Sequence, residues 1–511
     1  EDLEPTPVRL EASIGPLAPD KIRGVLPNNP QLKQLDDLEM GDVEISLKVD
    51  GTLGALELSE AVVRSSVLGA QQPNLTLNAQ AGPLNVTGAI DQPGFVEFAT
   101  KLEIRPFSLT KVRELLAAVE TAGKAGAEAP TIPPELSLDG EGSLEVSISR
   151  KLKDLRIDIE MDLTNGEFQF ADKFHKPAGV PFNVASKIGL SNNIVVLDNA
   201  RLTFHDLIVD ATGRIDLTNL YPVFDISVHS NESDVSKLAD ILPALEPLSV
   251  GGIMKLSASI KGADYGGEKP RIEGSLQIEN GRAKLEQMPE PVTDVNATVV
   301  FTEKSARLED TALRVGSSLV KVKGNAALLP LKAKYEITSA EAHRTDFQTP
   351  PKPSPRPEVL RDVKIEGRIW QEGEKILHAG TASSPSGTVA NVDYRNMTAV
   401  IASTEDKIVI EKFSADALGG KLEGTGTFEP NKTPPRFEME TRVRKVNLAE
   451  YFKYKVESLP KFIEGTIDLD LGLSGAGKEW KEISTTLSGE GGALVVQGAL
   501  LNLNIANDLL T

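Results

Sequence analysis

Apolar and polar residues alternate along most of this chain. Phe437, Met439, Thr441 and Val443 alternate with Glu438, Glu440, Arg442 and Arg444, and Ile467, Leu469, Leu471 and Leu473 with Asp468, Asp470, Gly472 and Ser474. A period of two puts one set on each side of a sheet, so these stretches predict strands with one apolar and one wet face. The same reading covers Val43, Ile45 and Leu47; Leu144, Val146 and Ile148; and Leu155, Ile157, Ile159 and Met161. It recurs at Met254, Leu256, Ala258 and Ile260, and at Val295, Ala297, Val299 and Phe301. Long alternating strands joined by short Gly/Asn turns predict an antiparallel meander. Asn165-Gly166 and Asn280-Gly281 are hairpin signals within it.

The pattern repeats. A glycine followed by an alternating strand occurs at Gly41, Gly142, Gly252, Gly367 and Gly465. A second landmark lies inside each unit, at Gly88, Gly213, Gly324 and Gly424, followed by Pro93, Pro222, Pro330 and Pro435. The units are thus about 100 residues long, more than an ordinary solenoid repeat. The expected divisions are the tail of a preceding unit over 1–40, full units over 41–135, 136–245, 246–358 and 359–458, and the start of a further unit over 459–511. On this reading the chain is a segment of a longer repeat protein. Each unit closes on a helix-like stretch: FSLTKVRELLAAV from Phe107, ESDVSKLADIL from Glu232 and VNLAEYF from Val446, with EAHRTDF as a weaker counterpart. Ser108 and Asp234 stand where they would cap the first two. Thr121–Glu135 and Gly262–Pro270 read as loops, and Thr349–Pro357 as a stiff proline-rich connector.

Composition narrows the functional classes. The chain has 511 residues, 40% of them hydrophobic but only 5% aromatic, so its apolar surface is mainly aliphatic. A net charge of −19 with no basic run argues against nucleic acid, and against holding anionic headgroups by charge alone. The absence of cysteine excludes disulfides and thiolate chemistry. No stretch reaches the ~18 apolar residues of a membrane span. The five histidines, at 175, 205, 229, 343 and 378, have no metal-ligand spacing and read as solvent or strand-edge residues. Asp468 and Asp470 lack the further carboxylates of a calcium loop. Gly419-Gly420-Lys421 and the Gly475–Lys478 segment lack phosphate-loop spacing, and Ser474 lacks a nucleophile elbow. No catalytic residue, metal ligand or cofactor is expected, and the chain does not read as an enzyme.

The C-terminal part carries a resemblance. ADALGGKLEGTGTF, VNLAEYF, GTIDLDLGLSGAGK and LSGEGGALVVQGAL, spread over about 413–501, resemble the C-terminal signature of the AsmA-like family of bacterial envelope proteins. That resemblance implies a periplasmic location, an inner-membrane anchor missing from this chain, an elongated β-groove and bridge-like movement of phospholipid toward the outer membrane. It also implies an outer-membrane or periplasmic protein partner and no catalytic residues.

A sheet with one apolar face must cover that face. The strand type does not change from unit to unit, which favours one twisted sheet over two packed halves. The fold expected is therefore all-β with a few short helices: an elongated antiparallel sheet folded lengthwise into a groove and built of ~100-residue repeats. Each methylene removed from water is worth ~0.8 kcal/mol, so phospholipid acyl chains suit such a furrow. The expected lining is Val43, Ile45, Leu47, Leu144, Val146, Ile148, Leu155, Ile157, Ile159, Met161, Met254, Leu256, Ile260, Val295, Val299, Phe301, Phe437, Met439, Val443, Ile467, Leu469 and Leu471. The competing expectation is an assembly scaffold that supports outer-membrane biogenesis without carrying lipid.

Overall fold

The computed structural model describes residues 7–21, 39–52, 55–84, 97–122, 133, 135–151, 154–263, 265, 269–286, 288–349, 354, 356–373, 375–404, 406–455 and 463–500. These residues form 28 strands and a few short helices. They divide into two compact units, Glu1–Gly274 and Ser275–Thr511. The division falls within the third expected repeat.

In the first unit, successive strands pair antiparallel, from Pro7–Leu17 on Val43–Thr52 through to Val223–Ser230 on Gly251–Ala263. Apolar side chains align in rows across the strands. One row runs Ile45, Val63, Leu77, Leu102, Val146 and Ile159; the next runs Leu47, Ala61, Ala79, Thr100, Ile148, Ile157 and Ile188. The other face carries ion pairs such as Lys48–Glu60, Lys101–Glu145 and Arg201–Asp210.

In the second unit an unbroken antiparallel meander runs from Val292–Thr302 to Ser488–Leu500. Its apolar face contains the row Leu308, Gly324, Tyr335, Gly367, Gly380, Ile401, Ile410, Gly426 and Met439. Many strands carry a bulge, at Thr293/Asn296, Leu308/Thr311, Arg395/Thr398, Ile410/Phe413 and Val443/Val446. A bulge bends its strand and increases the local twist. The positive φ of Asn396 (50°) and Lys445 (54°) mark two of these bends. Asn396 donates to Asp416, and Asp468 accepts from the Lys445 backbone N–H.

The closed core is small and sits where strand ends meet the helices. In the first unit α1 (Leu109–Ala122) brings Leu109 onto Val67, Leu68, Phe107 and Leu163, all buried. Ser108 Oγ accepts from the Lys111 N–H and caps this helix. The ESDVSKLADIL stretch forms a short 3-10 turn, Val235–Leu238, capped by Asp234, and a second 3-10 turn, Pro243–Leu248, follows it. In the second unit α2 (Arg344–Phe347) is anchored through Asp346, whose buried carboxylate accepts from the backbone N–H and hydroxyl of both Ser317 and Ser318. Helices α3 (Leu448–Lys455) and α4 (Trp480–Thr486) follow.

Three sequence expectations need correction. Asn280-Gly281 is no hairpin: it lies inside the continuous strand Arg271–Ala283, where Asn280 takes φ 50° and its N–H is held by the Asn296 side chain. Asn165-Gly166 does turn the chain, but Gly166–Phe170 pairs with the first half of Leu136–Lys151 rather than with the strand before it. Thr121 and Ala122 belong to α1; the loop expected beyond them, over 123–132, lies outside the described residues, as do parts of 262–270 and 349–357.

Candidate functional site: the apolar face and its cavity

A core closed by a second layer reduces aliphatic side chains to a few per cent exposure, as Val67 and Leu163 illustrate. The apolar rows behave differently. Leu155, Ile157, Ile159 and Met161 are each half-buried between exposed neighbours. Ile45, Leu47, Val146, Ile148, Met254, Leu256 and Ile260 are also half-buried. So are Val295, Val299, Phe301, Phe437, Val443, Ile467, Leu469 and Leu471. Met439 is 41% exposed. Three members of the expected lining sit in or beside closed packing instead: Val43 is buried, and Leu144 and Met161 pack against the core under α1. Leu109, at the start of α1, belongs to the cluster against which Leu144 and Met161 pack.

The second unit deepens this face into a cavity of about 620 Å³. Its lining includes Met397, Phe413, Ala415, Leu422, Val443, Ile467 and Leu469, together with Val389, Val392 and Tyr394. Leu448, Tyr451 and Phe452 of α3 border it. Asn447 sets the helix: its Oδ1 accepts from the N–H groups of Ala449 (2.9 Å) and Glu450 (3.2 Å), an N-cap that the VNLAEYF reading did not single out. The bulges at Asn396 and Lys445 bend the flanking strands here. Among the described residues no charged side chain lines the cavity. Two tyrosines, Tyr394 and Tyr451, are among its lining; the Tyr394 hydroxyl is hydrogen-bonded to Ser384 Oγ at 2.7 Å, and burial pushes that phenol's pKa up. A wall of this kind discriminates by shape and by dehydration of alkyl groups.

Polar groups do occur elsewhere on the same face. Tyr335 Oη lies 2.5 Å from His378 Nε2, the two rings are stacked at 5.8 Å, and Ser403 Oγ lies 3.2 Å from His378 Nδ1. The tyrosine lies over Gly367, which leaves no room for a Cβ there. Burial raises the Tyr335 pKa. His378 is therefore an integrated member of the apolar face rather than an edge residue, and no sequence spacing links positions 335, 378 and 403. The other histidines with described partners lie among polar groups: His175 beside Glu167, His229 beside Ser257, and His205 within reach of Asp206 and Asp240.

A fully buried lysine stands outside this picture. Lys176 donates to the carbonyls of Thr164, Gly166 and Pro177 and lies 5.7 Å from the Phe168 ring centre; burial pushes its pKa down. It ties the small hairpin over Gly166–Lys176 to the adjoining turn, a structural role.

Among the described residues no helix is long and apolar enough to cross a membrane. Comparison of the chain with family models, with curated proteins and with solved structures gives no match.

Proposed function

We propose that the apolar face carries alkyl chains, and that the protein is a lipid-transport module: acyl tails of phospholipids lie along the half-buried rows while their headgroups stay in water. The observation that carries this reading is the cavity of about 620 Å³ beside α3, whose described lining is aliphatic and aromatic without a charge. Burying a palmitoyl-length tail of about sixteen carbons is worth roughly 12 kcal/mol at ~0.8 kcal/mol per methylene. The glycines at 324 and 426 place no side chain of their own on the same face. The AsmA-like resemblance of the C-terminal stretch supports the setting: a periplasmic module, held at the inner membrane, that passes phospholipid toward the outer membrane and a protein partner there.

A fluorescent fatty-acyl probe tests the reading. Wild-type protein should bind it, and Leu469→Asp should weaken binding by at least about tenfold, because an unpaired carboxylate in the cavity wall is costly to dehydrate. Leu469→Met should bind normally. Equal binding by all three proteins would remove the cavity from the account. Absence of probe binding in the wild type would favour an assembly scaffold.

A further inference from the structure

The opposite face of the second unit holds a feature with no counterpart in the sequence pattern. Lys334 stands directly across from Arg368 on the neighbouring strand, and Lys332 directly across from Trp370. Like charges placed opposite each other destabilise a sheet, and in a chain of net charge −19 a carboxylate would be the ordinary partner. None is supplied. The adjacent carboxylates are engaged by other cations: Glu336 by Lys323 (2.8 Å), and Glu366 by Lys364 (2.6 Å). Lys332, Lys334 and Arg368 have no ion pair among the described residues, and Arg368 lies over the Trp370 ring at 5.0 Å. Together they line a concavity of about 920 Å³ that also takes in Arg307.

The concavity borders an exposed apolar tip. The hairpin between Ser318–Leu328 and Leu331–His343 turns through Leu329, which is 88% exposed, beside Leu328 at 39%. A protruding leucine flanked by a tryptophan and unpaired basic residues has the composition of a membrane-interface contact: the leucine enters the acyl boundary, the ring sits at headgroup depth and the cations meet phosphate. Residues i and i+2 on a strand and their cross-strand neighbours lie roughly 5–7 Å apart, so several cations can face one phosphate. The chain's overall negative charge does not cancel this locally, because charges more than about 8–10 Å away are screened at physiological ionic strength.

We infer that the Leu329 hairpin and the Lys332, Lys334, Arg368 and Trp370 cluster form a docking point for an anionic lipid surface. This contact does not depend on lipid being carried on the other face, and the two are read by separate assays. Sedimentation of the full chain with vesicles of phosphatidylcholine, with and without phosphatidylglycerol, tests it. Binding is expected only with phosphatidylglycerol and should weaken as salt rises. The triple variant K332Q/K334Q/R368Q should lose about fivefold in affinity per cation removed. Leu329→Ser should weaken binding while preserving its salt dependence. All these positions are on the surface, and matching far-ultraviolet circular dichroism of the variants would confirm that they fold. Equal binding to both vesicle types, or an unaffected triple variant, would overturn the inference. So would full competition by glycerol phosphate, which would make the cluster a site for soluble phosphate esters, or binding of an acidic protein segment with no binding of vesicles.

Discussion

Tyr335 and Tyr394 bring a hydroxyl to the apolar face, and burial raises the pKa of both. A free tyrosine ionises near pH 10. Because the folded values lie above that, the stabilisation from the neutral phenols is complete below pH ~10 and is lost as pH rises through the folded values. In an alkaline absorbance titration, Tyr335 and Tyr394 should therefore ionise after the protein's exposed tyrosines. Tyr335→Phe and Tyr394→Phe should each remove late-titrating amplitude; loss of early amplitude instead would place these hydroxyls in water. The carboxylate of Asp346 is a second residue whose role is set by its partners. It accepts four hydrogen bonds, and Asp346→Ala should cost about 2 kcal/mol by leaving the donors of buried Ser318 unpaired and releasing those of Ser317. Chemical denaturation measures this, and a loss below about 0.5 kcal/mol would contradict it.

At the scale of elements, strand identity and facing were legible because the period-two signal is strong. Leu155 to Met161 and Phe437 to Val443 fall on the face their alternation predicts. Helix positions were legible from spacing and caps, as with Ser108 and Asp234. What alternation cannot encode is the bulge. Asn280 looks like a turn residue because Asn tolerates positive φ, yet here that conformation serves a kink within a strand. Nor does spacing along the chain reveal cross-strand groupings such as Tyr335 with His378 and Ser403, or Lys334 with Arg368; these depend on register. The N-cap at Asn447 lies between the two cases, since its residue type was visible but its two N–H partners were not. Asn447→Ala should destabilise α3 by ~1 kcal/mol. Because α3 borders the cavity, it should also weaken acyl-probe binding by a few-fold, whereas Asn447→Asp should retain both. Unchanged probe binding in a demonstrably frayed helix would separate α3 from the site.

For the molecule as a whole, a repeated strand pattern builds an apolar face whose described residues are mostly half-buried, with closed packing beside α1. Repeat proteins depend mainly on neighbouring contacts, so Ile157→Asp in the first unit should disturb its own surroundings and leave the cavity beside α3 able to bind the probe. The alternative, a scaffold, uses the same strands but leaves the apolar rows empty. Native mass spectrometry of the chain purified from bacterial cells separates the two most directly. Lipid carriage predicts several phospholipids bound per chain, fewer in Ile157→Asp and in Leu469→Asp. A chain that emerges free of lipid, and takes up none when labelled phospholipid is supplied, would contradict the account.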